Sequence, residues 1–166
     1  MQTLRYRDRH VEYAGVIGAN LEIESANPRN YYEAINSPSV CAPQSIDAKL
    51  FAGDTASKRP AVIVVPGSLG VGPNHEAHAA TLVESGYVVC VVDPFGPRAV
   101  SSTVGDQTQY SFAASAWDVL ATLQVLASRP EVDPQRIAAQ GHSRGGSAVT
   151  IAANDWIGEA ATAGDR

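Results

Sequence analysis

RIAAQGHSRGG, at residues 136–146, joins a short apolar segment to a serine with glycines on both sides. We predict a strand over Arg136 to Gln140 and a helix over Ser147 to Asn154. Between them, Gly141-His142-Ser143-Arg144-Gly145 fits the pattern G-x-S-x-G. A sharp turn from strand to helix strains the backbone at the serine and lifts its hydroxyl clear of the sheet. The stretch therefore predicts that Ser143 is a hydrolytic nucleophile.

The same turn predicts hydrogen-bond donors for the oxygen of an attacked carbonyl group. Positions two residues to either side of the serine are crowded, and Gly141 and Gly145 occupy both. The N–H of Arg144 is expected to point at the carbonyl oxygen, and the helix N-terminus adds partial positive charge. A second donor comes from the loop after an earlier strand, where Ser68 and Leu69 are the candidates. Together these N–H groups would form an oxyanion hole.

The segments on the N-terminal side of this motif alternate between strand and helix patterns. Ala61 to Val65 and Tyr87 to Val92 are continuous apolar runs, typical of parallel strands covered on both faces. Asn74 is predicted to cap a helix that ends near Ser85, where Gly86 follows it. A longer helix is predicted from Ser111 to Ser128 because its apolar residues fall on one face. This order predicts an α/β doubly wound arrangement.

The first third of the chain carries weaker patterns. Residues 45–52 alternate apolar and polar side chains, as a half-buried strand does. Residues 11–24 can hold another strand, and Asn27-Pro28 and Ser37-Pro38 break the segment between these two strands into loop. We therefore predict an irregular N-terminal segment over residues 1–44 with one strand in it.

From Val62 to Ala153 the sequence resembles the dienelactone hydrolase family of α/β-hydrolases. The resemblance rests on residues 66–70 (PGSLG), 93–98 (DPFGPR) and 141–146 (GHSRGG), although many relatives have His-Gly where this chain has Pro66-Gly67. It implies the α/β-hydrolase fold, which is a three-layer sandwich with a mainly parallel sheet. It also implies hydrolysis of a small carboxylic ester or lactone through an acyl-enzyme on Ser143, with neither a metal nor an organic cofactor.

In this family the acid and the histidine of the catalytic triad follow the nucleophile along the chain. Residues 144–166 hold acidic side chains but no histidine and no apolar run for a strand. We therefore interpret residues 45–166 as the N-terminal portion of an α/β-hydrolase domain, incomplete at its C-terminus, and expect negligible turnover from the chain alone. Arg136 to Gln140 would then form an exposed sheet edge. A truncated product, a half-enzyme completed by a homodimer or another chain, and a non-catalytic module that binds an acyl ligand remain alternatives.

Four further residues are candidates for lining the pocket. His75 follows the oxyanion loop at the same rim as Ser143, and a role as a substitute base is the less favoured interpretation. His142 should leave the turn in a different direction from Ser143. Asp93 is expected to bind nearby backbone N–H groups in a turn. Arg98 could contact an anionic substrate group, although a structural ion pair is the more ordinary expectation.

Composition excludes several classes of partner. The net charge is -5 and no Lys/Arg cluster stands out, so neither nucleic acid nor an anionic membrane is expected. Two cysteines make neither a disulfide framework nor a metal site. No apolar run reaches the ~18 residues of a membrane span. Since Met1 to His10 lacks the apolar segment of a signal peptide, we expect a cytoplasmic protein.

Overall fold

The computed structural model describes residues 5–53 and 56–163. Residues 1–4 of the predicted N-terminal segment, and residues 54–55 and 164–166 of the predicted hydrolase portion, lie outside the described residues. The strands are β1 (Glu12–Tyr13), β2 (Val16–Ile17), β3 (Ala19–Asn27), β4 (Ala42–Phe51), β5 (Arg59–Val65), β6 (Val88–Asp93) and β7 (Val132–Gly141). The helices are α1 (Tyr31–Asn36), α2 (Pro73–Glu84), α3 (Phe112–Ala127), α4 (Arg144–Ala152) and α5 (Asp155–Ala163).

Five strands form one sheet in the order β3-β4-β6-β5-β7. β6, β5 and β7 pair in parallel, whereas β4 pairs antiparallel with both β3 and β6. All strands of this sheet except β4 therefore run in the same direction, which confirms a mainly parallel sheet. Because parallel neighbours are joined by α2 and α3, the carboxyl ends of β5, β6 and β7 meet at one edge of the sheet.

Alternating side chains on the apolar strands cover both faces of the sheet. Val62 and Val64 on β5 pack with α2, whereas Ile63 and Val65 face the other way and pack with α3 and α4. β6 alternates in the same manner. Strands buried on both faces need continuous β-branched runs, and these runs are what the sequence contains. The three-layer α/β-hydrolase sandwich is confirmed.

Several element ends differ from the prediction. α2 has Gly72 as its N-cap and Pro73 as its first residue, so Asn74 is not the cap. α4 begins at Arg144 rather than at Ser147, because the turn passes directly from Ser143 into the helix. α1, which lies in the region predicted as loop, begins after Asn30, whose side chain accepts a hydrogen bond from the N–H of Glu33.

The N-terminal segment belongs to the same sheet as the rest. β3 pairs with β4 along its whole length, from Ala19 opposite Leu50 to Asn27 opposite Ala42. The predicted division at residue 44 thus falls inside β4, and Ile23 of β3 is fully buried in the main core. The strand predicted within residues 11–24 is present but extends to Asn27.

β7 lies at one end of the sheet, as predicted for the strand that leads to Ser143. It begins at Val132, four residues before the predicted start, and contains Pro134. The pairing of β7 with β5 is irregular between Arg59 and Ala61. A proline within a strand is tolerated at such an irregularity.

Candidate active site

The backbone at Ser143 is strained, with φ 51° and ψ −117°. β7 ends two residues earlier at Gly141, and α4 begins at the next residue, Arg144. A non-glycine residue at positive φ costs about 1–3 kcal/mol and persists only where its surroundings hold it. The turn leaves Ser143 exposed at the carboxyl edge of the sheet.

Two glycines of the motif are required by direct backbone contacts. A Cβ at Gly141 would lie 2.1 Å from the carbonyl oxygen of Gly145. A Cβ at Gly145 would lie 2.4 Å from the carbonyl oxygen of Val65 and 2.6 Å from that of Pro66. The crowding expected at both positions is therefore present, and α4 packs against the end of β5 with no room for a side chain.

The loop after β5 lies beside Ser143. A Cβ at Gly67 would be 3.0 Å from the carbonyl oxygen of His142 and 3.3 Å from the Cβ of Ser143. The loop turns at residues 67–70, where the N–H of Gly70 donates to the carbonyl oxygen of Gly67 at 3.0 Å. Ser68 and Leu69 are the central residues of this turn, and Leu69 is 77% exposed. The structure thus brings Ser68, Leu69 and Ser143 to the same edge.

The Arg144 side chain is buried, being 4% exposed, and it is anchored by neutral acceptors. Nη2 donates to the carbonyl oxygens of Tyr110 at 2.7 Å and Ser111 at 3.1 Å. The guanidinium also stacks on Phe112, 4.2 Å from the ring centre. Further hydrogen bonds reach the Ser115 hydroxyl and both the backbone and the side chain of Gln107. Arg144 therefore ties the segment before α3 to the turn that carries Ser143.

Gln107 connects this anchor to the loop after β5. Its Oε1 accepts from Arg144 at 3.1 Å, and its Nε2 donates to the Ser68 hydroxyl at 3.0 Å. Ser68 is held a second time through its carbonyl oxygen, which accepts from the N–H of Thr103 at 2.8 Å. A cleft of about 370 Å³, which we call the Ser143 cleft, opens between these groups. It is lined by Ser68, Gln107, Phe112, Ser143, Arg144 and Ser147.

Three residues of this cleft were not predicted from the sequence. Gln107 lies in the segment before α3, and Phe112 is the first residue of α3. Ser147 lies on the first turn of α4. Residues 101–110 have no periodicity or motif that would mark them. The one available signal was that the segment precedes a helix capped by Ser111, whose hydroxyl accepts from the N–H of Ala114.

His75 and His142 contact each other near the rim. Their rings are perpendicular, with centres 5.7 Å apart. His75 is buried on α2, and its Nδ1 accepts a hydrogen bond from the N–H of Gly72 at 3.1 Å. Burial lowers the pKa of His75, and the neighbouring His142 lowers it further. His142 is exposed. Neither His75 nor His142 is among the described residues that line the Ser143 cleft.

Acidification is expected to weaken the fold through His75. A histidine whose pKa is lowered on folding contributes stability above its ordinary pKa of about 6.5 and loses that contribution as the pH falls from this value to the lowered pKa of the folded state. His75→Gln keeps a side-chain acceptor for the Gly72 N–H but does not titrate. The fall in melting temperature between pH 7.5 and pH 5.5 should be smaller in this variant than in the wild type. His78→Gln, at an exposed position of the same helix, serves as the control, and equal falls in all three proteins would contradict the prediction.

Asp93 occupies a turn. Its Oδ1 accepts from the N–H groups of Phe95 at 3.0 Å and Gly96 at 3.2 Å, as expected for an aspartate that stabilises a turn. Burial raises the pKa of this carboxyl, and the two N–H groups oppose that effect. Asp93 faces a separate cleft beside Arg5, so the structure does not bring it to Ser143.

Arg98 forms a buried ion pair and does not line the Ser143 cleft. Nη1 and Nη2 donate to the two carboxylate oxygens of Asp118 at 2.7 and 3.0 Å, and each side chain is 3% exposed. The Ser25 hydroxyl donates to the same carboxylate at 2.6 Å. Burial raises the pKa of Asp118, whereas Arg98 lowers it. The structural ion pair expected for Arg98 is present. A contact between Arg98 and an anionic substrate group is no longer expected, because Asp118 already compensates the charge of Arg98.

Within residues 5–53 and 56–163, no group of three or more His, Cys, Asp or Glu side chains is arranged to bind a metal ion. In the same part of the chain, none of the helices has both the length and the apolar character needed to cross a bilayer.

Residues 46–164 match the sequence model of the dienelactone hydrolase family. The chain belongs to the dienelactone hydrolase family. The match includes β5, the loop beside Ser143, the G-x-S-x-G turn and α4, so the family assignment covers each element of the site. No curated protein matches the chain in the sequence comparison.

Solved structures of hydrolases share the fold. A structure described as m3DLH is 21% identical with a TM-score of 0.58, over 82% of this chain and 54% of that chain. Acetyl xylan esterase 1 from Thermoanaerobacterium sp. JW/SL YS485 is 21% identical with a TM-score of 0.53, over 70% of this chain and 41% of that chain. The metagenomic carboxylesterase EstE1 is 23% identical with a TM-score of 0.50, over 81% of this chain and 40% of that chain. This member of the dienelactone hydrolase family thus spans about half or less of the length of these structures.

Proposed function

We propose that this chain carries the nucleophile and the oxyanion hole of a serine hydrolase that acts on small carboxylic esters or lactones. The observation that carries the proposal is the strained, exposed Ser143 between β7 and α4, with the Gly67 loop in contact with it. Membership of the dienelactone hydrolase family supports an ester-type substrate.

Ser143 Oγ attacks the carbonyl carbon, and the oxygen of that carbonyl takes up negative charge. The N–H of Arg144 is available for this oxygen, because the first N–H groups of a helix have no acceptor within the helix. The hydrogen bond that closes the 67–70 turn does not use the N–H groups of its central residues, Ser68 and Leu69, and no acceptor among the described residues takes them up. One of these two supplies the second donor. Collapse of the intermediate expels the alcohol, or opens the lactone, and leaves an acyl-enzyme that water hydrolyses.

The serine proton needs an acceptor. Among the described residues, His75 uses its Nδ1 to bind Gly72, and neither His75 nor His142 lines the Ser143 cleft. We propose that these 166 residues do not supply the base and that it comes from a group outside them, such as one on a complementing chain. Turnover by the chain of 166 residues alone is then expected to be low.

A fluorophosphonate probe followed by mass spectrometry tests the nucleophile separately from turnover. We expect one adduct, on Ser143, that forms slowly, because a serine without its base is a weak nucleophile and only oxyanion stabilisation and binding remain. Ser143→Ala should lose the adduct, whereas Ser147→Ala, which removes another serine of the same cleft, should keep it. With p-nitrophenyl acetate, and after the hydrolysis catalysed by imidazole itself is subtracted, the wild type should turn over slowly and gain rate from added imidazole, whereas Ser143→Ala should show no such protein-dependent gain.

Other results would separate the alternatives. An adduct that survives Ser143→Ala would end the assignment of the nucleophile. Rapid turnover without imidazole would contradict an external base. Absence of an adduct, together with saturable binding of an ester analogue, would favour the non-catalytic module that binds an acyl ligand.

A further inference from the structure

An aromatic groove adjoins the Ser143 cleft. It lies between residues 27–31, which lead from β3 into α1, and residues 107–114, which lead into α3, and its volume is about 630 Å³. Gln107 and Phe112 line both this groove and the Ser143 cleft. The two spaces are therefore neighbours, with Gln107 and Phe112 at their common border. We call this feature the Tyr31 groove.

The charged and amide groups that line the Tyr31 groove already have protein partners. Arg29 pairs with Glu33 at 3.0 Å, and the Asn30 side chain caps α1. The Asn27 side chain binds Gln44 and Arg98. Since a bound polar substituent would compete with these contacts, the groove offers a ligand mainly its apolar surface. That surface comes from the rings of Tyr31 and Phe112 and from Pro28 and Ala113.

Tyr31 is the exposed aromatic residue of the groove. It is 39% exposed, whereas Tyr110, which also lines the groove, is 8% exposed and packs against Phe95. Phe112 is held by its stack with the buried guanidinium of Arg144. A fixed ring and an exposed ring that line the same groove suit a flat or extended apolar group.

We propose that the Tyr31 groove is a subsite for an uncharged alkyl or aryl substituent on the carbonyl carbon of the substrate. The preferred substrates are then esters or lactones with an apolar group of several carbons, rather than acetyl esters or esters with a charged substituent. This inference rests on the proposed reaction at Ser143. The groove defines specificity, and Ser143 supplies the chemistry.

Binding of trifluoromethyl ketones, followed by ¹⁹F NMR, tests the subsite without requiring turnover. These ketones add reversibly to a serine hydroxyl, and their small trifluoromethyl group leaves the other substituent to occupy the groove. We expect the phenyl ketone to bind the wild type at least about fivefold more tightly than the methyl ketone, because the added apolar area is buried. Tyr31→Ala should remove most of this preference, because it should weaken binding of the phenyl ketone several-fold more than binding of the methyl ketone.

Tyr32→Ala is the matched control, since Tyr32 is the next residue of α1, is 75% exposed and does not line the groove. Equal effects of the two variants, or a wild type that binds neither ketone or binds both equally, would overturn the subsite. Ser143→Ala distinguishes the two proposals. If it binds both ketones as the wild type does, the nucleophile assignment fails, while a preference that depends on Tyr31 would still support the groove.

Discussion

Replacing Gly145 with alanine is expected to destabilise the fold by about 3 kcal/mol or more. The new Cβ would lie 2.4 Å from the carbonyl oxygen of Val65 and 2.6 Å from that of Pro66. Both oxygens belong to backbone at the end of β5, which is buried and cannot rotate away as a side chain could. The start of α4 would have to move from the sheet, and the strained conformation of Ser143 depends on that contact.

Gly146→Ala provides the matched control for this prediction. A Cβ at Gly146 would lie 3.4 Å from the nearest atom, the carbonyl oxygen of Gly141, so it fits with little adjustment. Alanine in a helix is favoured over glycine by about 0.8–1 kcal/mol, and this variant should be neutral or slightly more stable. Urea unfolding of the wild type and both variants gives the comparison. Equal midpoints for the two variants would show that the packing of α4 on β5 does not require glycine at position 145.

Asp118→Ala is expected to lower the free energy of unfolding by about 3–5 kcal/mol. The substitution leaves the guanidinium of Arg98 buried, with its side chain 3% exposed and its carboxylate partner removed. Among the described residues, the remaining partners of Arg98 are the carbonyl oxygen of Pro94, the side chain of Asn27 and the ring of Tyr110, none of which carries a charge. Ser25 of β3 also loses its acceptor. The pair therefore joins β3, α3 and the loop after β6.

Two comparisons test whether burial causes this loss. Asp133→Ala removes the partner of Arg136, whose side chain is 58% exposed, and should cost less than about 1 kcal/mol. The double replacement of Arg98 by Met and Asp118 by Leu should be less destabilised than Asp118→Ala, because no unpaired charge stays in the core. Urea unfolding measures all three variants. A loss from Asp118→Ala as small as that from Asp133→Ala would mean that water reaches Arg98.

The elements around the nucleophile were predictable because their signals are local. Continuous β-branched runs marked β5 and β6, and apolar residues on one helical face marked α3. The glycines at 141 and 145 identified the turn at Ser143 because a strand that passes directly into a helix leaves no space for Cβ atoms. The pairing of β3 with β4 was harder to predict from the sequence, since the alternating pattern of residues 19–27 contains mostly polar side chains.

The roles of the charged residues could not be predicted in the same way. The sequence suggests a solvated or paired surface charge for Asp118 on a helix. The residue is paired, but it is 2% exposed, because its partners come from residues 25 and 98. Arg144 belongs to the G-x-S-x-G motif, but the sequence predicts a role only for its backbone N–H, as a donor in the oxyanion hole. Its side chain binds residues 107–115, which lie about 30 positions earlier in the chain. Contacts between distant segments depend on how the sheet orders its strands.

The amino-acid sequence by itself determined that this chain has parallel apolar strands and a glycine-flanked serine between β7 and α4, since hydrophobic periodicity and backbone sterics act over a few residues. Only the tertiary structure decided which side chains surround that serine. Gln107 and Phe112 reach the Ser143 cleft, whereas Asp93 and Arg98 serve a turn and a buried ion pair. The physical reason is that burial and charge pairing depend on segments that are distant in the sequence and that folding brings together. The residues next to a given position therefore do not indicate whether its side chain is buried or paired.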